Sequence, residues 1–250
     1  MPGDPPTVPD QPNNSPRTPL ADPVSSTTHH GTPRLLITAG PTHEPIDSVR
    51  YIGNRSSGRL GIALAEKAAS RGCPVTLLLG PTSLTPSDSR ISLIRFRTAA
   101  ELQAVLAREF LASDILIMAA AVADYRPKID ALAPPQKLKR GGDLTLILEP
   151  TPDLLAGIAA SRKPGQVVIG FALEPRDRLL ESARDKLRRK SVDLIVANPL
   201  ETMESDLIEA AFVTPSGEHA PTAGTVSKAV FADVLLDTAL DLFAAKGVKA

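Results

Sequence analysis

From Arg34 onward, short apolar runs that end in turn residues alternate with segments of helical period, and this alternation restricts the chain more than any other feature. Leu35-Leu36-Ile37-Thr38-Ala39 has strand length and is closed by Gly40-Pro41, the pattern of a buried strand ending in a turn. A polar loop follows. Then Ser56-Ser57-Gly58 opens a stretch with Leu60, Leu64 and Ala68 at helical spacing, running to Arg71-Gly72. Serine before and glycine after such a stretch are start and stop signals. Pro74 to Leu79 is a second apolar run, ended by Gly80-Pro81. The unit is strand, loop, helix, strand.

The pattern recurs without repeating the residues: strand Ile91 to Phe96, helix Ala99 to Leu111, strand Ile115 to Ala120, helix Asp153 to Ala160, strand Val167 to Ala172, helix Leu179 to Lys190, strand Leu194 to Ala197. Strands alternating with helices predict an α/β chain with a mostly parallel sheet covered by helices on both faces, and right-handed crossovers make it Rossmann-like. Lys137 to Leu148, with Gly141-Gly142-Asp143 between β-prone stretches, is expected to form a hairpin or arm. Ala211 to Thr214 followed by Pro215-Ser216-Gly217 predicts a second hairpin. Lys228 to Ala245, with Val230, Val234, Leu235, Leu240 and Phe243, predicts an amphipathic helix.

Composition narrows the function classes. Lys+Arg and Asp+Glu each number 28, and aromatics are 3% with no Trp. A zero formal charge and few stacking platforms argue against nucleic acid as a partner. The longest uncharged apolar run, Ile115 to Ala123, is half of what a spanning helix needs, so no membrane is expected. The single cysteine, Cys73, excludes an internal disulfide and fits a reducing, cytoplasmic setting. Its place at the end of an apolar helix predicts a buried, inert thiol. Nine of the 24 prolines fall in residues 1–33, a stretch too poor in large apolar side chains to offset its ordering entropy. It is expected to be a disordered tail, with His29 and His30 solvated in it, ahead of one domain over 34–250.

In open α/β sheets ligands bind beyond the carboxyl ends of the strands, so the loops there carry the candidate chemistry. The first, Gly40 through Gly58, is far longer than an ordinary strand-to-helix connection. It offers Asn54, Ser56, Ser57 and helix N-terminal amides as donors for a phosphate or an oxyanion; plain helix capping is the alternative for either serine. Gly53 to Leu60 approaches a P-loop pattern, but Arg59 and Leu60 replace its lysine and hydroxyl. No G-x-G-x-x-G occurs, which disfavours a nicotinamide or flavin enzyme. The second loop, Ala119-Ala120-Ala121-Val122-Ala123-Asp124-Tyr125-Arg126, lets a flat ligand approach the backbone. Its Asp124 either accepts from a sugar or base or holds a cation, or merely pairs with Arg126 or caps a turn. Behind it, Lys137 and Lys139 of Lys137-Leu138-Lys139-Arg140 either reach phosphate oxygens or form a solvated basic edge. On the later helix, Lys186 and Lys190 share a face, with Asp177, Glu181 and Asp185 as competing intrahelical partners. With only His43 and His219 beyond the tail and no G-x-S-x-G, no Ser-His-Asp arrangement can be argued.

Together these residues resemble a known family. Ile37-Thr38-Ala39-Gly40-Pro41-Thr42, Glu44-Pro45-Ile46-Asp47, Val49-Arg50-Tyr51-Ile52-Gly53-Asn54-Arg55-Ser56-Ser57-Gly58 and Ala120-Ala121-Val122-Ala123-Asp124-Tyr125 are similar to the motifs of phosphopantothenate-cysteine ligase, over about residues 34–250. The resemblance implies a two-step ligation in coenzyme A biosynthesis: 4'-phosphopantothenate attacks CTP to give an acyl-cytidylate and pyrophosphate, and the amine of cysteine then displaces CMP. It implies that Asn54 acts on the acyl intermediate, that Asp124 binds the nucleotide and that Lys137 belongs to a mobile arm. The nucleotide turn falls on Pro150, Thr151, Pro152 and Asp153, Phe171 lies against the cytosine, and Lys186 and Lys190 take phosphates. The substrate side falls on Gly40, Pro41, Thr42, Asn54, Ser56, Ser57, Gly58 and Ala121. Magnesium would arrive on the triphosphate and keep several waters. A homodimer is implied. The chain is expected to be a free-standing ligase without the flavin-dependent decarboxylase to which this domain is often fused, with a separate decarboxylase as a partner. Pro199 and the stretch Met203-Glu204-Ser205-Asp206-Leu207-Ile208 depart from the family pattern. The alternatives are the same ligation with ATP, or a nucleotide-binding relative without catalysis.

Overall fold

A computed structural model describes residues 31–128, 136–139, 141–203, 205–222 and 224–247. His29, His30, most of the proline-rich tail, Arg140 and Glu204 lie outside the described residues.

In chain order the elements are β1 Leu35–Ala39, β2 His43–Pro45, β3 Tyr51–Gly53, α1 Arg59–Ser70, β4 Val75–Leu79, β5 Ser92–Arg95, α2 Ala99–Phe110 and β6 Ile115–Met118. There follow β7 Tyr125–Pro127, β8 Leu148–Pro150, α3 Leu154–Ala160, β9 Val167–Glu174, α4 Leu179–Lys190 and β10 Leu194–Pro199. The last are β11 Leu207–Ile208, β12 Ala211–Thr214, β13 Gly217–His219, β14 Val226–Ser227 and α5 Lys228–Gly247.

One sheet runs in the order β13-β12-β10-β9-β6-β1-β4-β5. From β10 to β5 every pairing is parallel, whereas β12 and β13 add an antiparallel hairpin at one edge. Among themselves the parallel strands stand in the order third, second, first, fourth, fifth, sixth. This is the doubly wound Rossmann arrangement, whose strand order reverses between the first and fourth strands, here β1 and β6. The expected α/β class and second hairpin are both observed.

All five residues of β1 are buried because helices cover both faces of the sheet. Ile37, Ile117 and Ile169 pack on one side with Leu64 of α1 and Phe231 and Leu235 of α5. Leu36, Leu116 and Val168 pack on the other with Leu102 of α2, Leu155 of α3 and Leu187 of α4. The strand period of two sends alternate residues to opposite cores.

Three local expectations are corrected. Gly141-Gly142-Asp143 is not the turn of a local hairpin among the described residues: β8 pairs with β7 instead. Leu144, Leu146 and Ile147 are exposed, so no buried face fixes a local register there. Neither Ser56 nor Ser57 is the N-cap of α1, although the Ser57 hydroxyl accepts from Arg59 N–H at a long 3.5 Å; the N-cap is Gly58, at φ 75°, a conformation that favours glycine and lets it close on Gly40, whose nitrogen lies 3.3 Å from where a Cβ would be. Val230, expected on the apolar face of α5, is 51% exposed.

Candidate active site

Where the strand order reverses, the loops leaving β1 and β6 stay paired beyond their strands. Ala121 N–H donates to the Gly40 carbonyl at 2.9 Å, and Thr42 N–H donates to the Ala121 carbonyl at 3.1 Å. The buried Thr38 and Thr42 hydroxyls accept from Ala120 and Ala123 N–H, each at 3.0 Å. Two buried threonines, Thr38 inside the apolar run and Thr42 just beyond it, thus have their polar atoms satisfied by the neighbouring loop. Gly40, Pro41 and Thr42, expected on the substrate side, are this brace and do not line the cavity described below.

The rest of the first loop is held from below. Asp47, buried at the turn between β2 and β3, accepts from Val49 and Arg50 N–H at 2.8 and 2.7 Å, from the Arg50 guanidinium, and from Leu138 N–H at 3.1 Å. The Arg50 guanidinium holds its carboxyl far below the ordinary aspartate range, against the opposing effect of burial. The His43 ring stacks on Tyr51 with centroids 3.6 Å apart, and burial, then Arg97, lowers its pKa. Beyond this ribbon the chain reaches Asn54, whose Nδ2 donates to the Val122 carbonyl at 3.0 Å. That bond ties the loop after β1 to the loop after β6 and fixes the direction of the amide.

Over the carboxyl ends of β1, β6, β9 and β10 lies a cavity of about 830 Å³, within the range of small-ligand sites. Asn54, Ser56, Ser57 and Gly58 form one wall, and Ala121 and Asp124 another. Asp153, Phe171, Lys186 and Lys190 form a third. Asp124 is not taken by Arg126, which pairs with Glu149 at 2.9 Å. The competition expected on α4 resolves by side-chain direction: Asp185 pairs with Arg188 and Arg189, leaving Lys186 and Lys190 facing inward. Lys186 Nζ donates to the Phe171 carbonyl at 2.5 Å. Burial, then the adjacent Lys190, lowers its pKa, while Asp153, Asp124 and Glu174 oppose the shift. Lys190 Nζ meets Asp153 Oδ1 at 3.0 Å, and the same carboxylate caps α3 through Ala156 N–H. Burial would raise the Asp153 pKa, but the Ala156 amide and the two lysines outweigh it and hold it down.

Other expectations fall elsewhere. Pro150, Thr151 and Pro152 do not reach the cavity wall; Thr151 instead braces the Asp124 loop, its hydroxyl donating to the Ala123 carbonyl at 2.5 Å and its N–H to the Asp124 carbonyl at 2.9 Å. Lys137 is exposed and off the wall, because its neighbour Leu138 is anchored by Asp47 and by the Arg50 guanidinium, which donates to the Leu138 carbonyl at 3.0 Å. Several lining residues were not singled out from the sequence. Asn198 and Thr202, 3.2 Å apart, follow β10 and were within reach of the strand-end rule. Arg59 and Lys228 also line the cavity, and the position of Lys228 depends on how α5 packs, which no local pattern reports. Met203 and Ile208 bring the departing stretch onto the wall as well.

Residues 31–242 match the family described as DNA/pantothenate metabolism flavoprotein C-terminal domain. Over 168 residues the chain is 48% identical to a cysteine/cysteine sulfinic acid decarboxylase from an unknown prokaryotic organism, covering 67% of this chain and 46% of that protein. It is 44% identical over 168 residues to the coenzyme A biosynthesis bifunctional protein CoaBC of Escherichia coli K12, covering 66% and 40%. The chain thus spans less than half the length of these two relatives. Among solved structures, the C-terminal domain of a CoaBC superposes with a TM-score of 0.69 at 33% identity, covering 85% of this chain and 96% of that one. The motifs, the switch-point cavity and these likenesses agree: the chain belongs to the DNA/pantothenate metabolism flavoprotein C-terminal domain family, that of the phosphopantothenate-cysteine ligases its sequence resembles.

Proposed function

We propose that this chain joins 4'-phosphopantothenate to L-cysteine, with CTP as the activating nucleotide. The observation that carries the reading is the placement of Asn54: its amide is fixed between two strand-end loops, on a cavity whose other wall presents Lys186 and Lys190. In the first step a carboxylate oxygen bonds to the α-phosphorus and the bond to the β-phosphate oxygen breaks, releasing pyrophosphate. Cations fixed near the triphosphate stabilise the charge that moves onto the leaving group. In the second step the cysteine nitrogen bonds to the acyl carbon, CMP leaves with the electrons of the C–O bond, and the amine proton passes to solvent. One Asn54 N–H is held by the Val122 carbonyl; the other is available to the acyl oxygen as it becomes tetrahedral.

Asp124, with no cationic side chain paired to it among the described residues, suits the nucleotide sugar or base. Phe171 offers the base an apolar face. Magnesium enters as part of the nucleotide substrate. Residues 34–250 act as the ligase unit, in a homodimer in the cytoplasm, with a phosphopantothenoylcysteine decarboxylase using the product. Among the described residues no helix is long and apolar enough to cross a membrane.

The test is product formation with CTP and ATP at equal concentration, following pyrophosphate, CMP and amide. Asn54→Ala is expected to consume CTP and release pyrophosphate while amide formation stalls; amide at the wild-type rate overturns the assignment. Faster turnover with ATP overturns the choice of nucleotide, and no pyrophosphate from either leaves a binding protein. Lys137→Ala should lower turnover about ten- to a thousandfold if the arm closes on the triphosphate; unchanged turnover makes it a solvated edge.

A further inference from the structure

On the α1 and α5 side of the sheet the cavity has a second cationic pole. Arg59 opens α1 and Lys228 opens α5, the two helices packed together on the same core, and both side chains line the cavity. They are joined through one residue: the Arg59 guanidinium pairs with the Asp206 carboxylate, and Lys228 N–H donates to the Asp206 carbonyl at 3.0 Å. The Asp206 side chain is 80% exposed, so water screens the charge it returns to Arg59. Lys228 has no carboxylate partner among the described residues. Asp206 answers the Arg59 charge alone, so two cations stand against a single solvated carboxylate and leave a net positive charge at this wall of the cavity. Consistent with this, burial first and Arg59 second lower the Lys228 pKa, against Asp206. An anion between the two would relieve both effects.

We propose that Arg59 and Lys228 form a second phosphate subsite, on the opposite face of the sheet from Lys186 and Lys190. The inference rests on the ligase reading, in which two reactants carry phosphate: the triphosphate of the nucleotide and the phosphomonoester of the acid. Both present terminal phosphate oxygens to paired cations. With two poles on opposite faces, the two anionic reactants enter from different sides, their reacting ends meeting near Asn54.

The experiment compares the 250-residue chain with Arg59→Ala, Lys228→Ala and Lys228→Met, the last keeping an apolar stem at this half-buried position, and with the conservative Arg59→Lys and Lys228→Arg. KM is measured for CTP, 4'-phosphopantothenate and cysteine, with pantothenate as the substrate lacking phosphate. Loss of one charged contact should raise KM for one phosphorylated reactant about ten- to a hundredfold, leave the cysteine KM unchanged, and be largely recovered in the conservative variants. If the acid is the ligand, its KM rises and the preference for phosphopantothenate over pantothenate collapses. If it is the nucleotide, the CTP KM rises and pyrophosphate inhibits less. Unchanged KM for both overturns the subsite, as does a fall in kcat alone. Calorimetric titration of CTP and of phosphopantothenate separates this inference from the ligase reading: weaker binding of one of them to Lys228→Met supports the subsite even if no protein forms product, and equal binding of both overturns it.

Discussion

Replacing Gly61 by alanine puts a methyl group 2.4 Å from the Cβ of Ala39, 3.2 Å from its Cα and 3.2 Å from the Thr38 carbonyl oxygen. Carbon atoms in contact sit about 3.5–4.0 Å apart, so α1 must move off β1 by roughly 1 Å. None of the three atoms is the end of a flexible side chain, and β1 is buried at the centre of the sheet. Overpacking of this kind costs up to about 3 kcal/mol, whereas glycine to alanine inside a helix returns about 1 kcal/mol. The net loss is about 2 kcal/mol, a fall in Tm of roughly 4–8 °C at this chain length. Activity should fall further, because α1 carries Ser56, Ser57 and Gly58 at its head and a displacement of about 1 Å can cost on the order of a hundredfold. Gly157 in α3 is the internal control: a Cβ there meets nothing within 4 Å, so Gly157→Ala should raise stability by about 0.5–1 kcal/mol. Differential scanning calorimetry of both variants, with pyrophosphate release measured on the same samples, tests the prediction. A Gly61→Ala protein as stable and as active as wild type would refute the reading that close helix-strand approach sets the loop.

Asp47 ties Leu138 to the first loop, so Asp47→Asn should speed limited proteolysis within residues 136–147, read as cleavage rate by mass spectrometry. Its native carboxyl titrates far below the ordinary value of 3.8, so its contribution to stability is complete above that pH and is lost as pH falls toward the native value; the Tm of Asp47→Asn should therefore fall less steeply than wild type in acid. Lys186 has a native pKa below 10.5, so wild type should gain stability relative to Lys186→Met as pH rises from the native value toward 10.5, read from paired denaturant melts. Burial raises the Cys73 thiol pKa, with Arg71 opposing. Alkylation of the native protein at neutral pH should therefore be slow, and should accelerate with unfolding; rapid labelling in native buffer would contradict a buried thiol.

What could be read in advance follows the range of the forces involved. Strand and helix periods act over a few residues, and β1, β4, β6, β9 and α4 form where their apolar spacing puts them. Asn54, Ser56, Ser57, Ala121 and Asp124 could be singled out because strand ends are where such sheets bind ligands, and all five line the cavity. Gly40, Thr42 and Thr151 lie off the cavity wall for one shared reason: their backbone or hydroxyl groups are bonded to another loop, and hydrogen bonding between segments leaves no local pattern. The helix begins directly after Ser56-Ser57-Gly58, as its spacing predicts, but its N-cap is Gly58, in an αL turn closed on Gly40, rather than a serine, and that long-range approach leaves no local pattern.

The sequence by itself determined the order of strands and helices, the buried character of the sheet and the loops that carry polar groups, because burial period and turn chemistry are properties of neighbours along the chain. Tertiary structure alone decided that Lys186 and Lys190 face inward while Asp185 takes Arg188 and Arg189, that Lys137 lies off the wall, and that Arg59 and Lys228 stand together on it. Those outcomes depend on distances between residues far apart in the chain, and only packing of the helices on the sheet sets them.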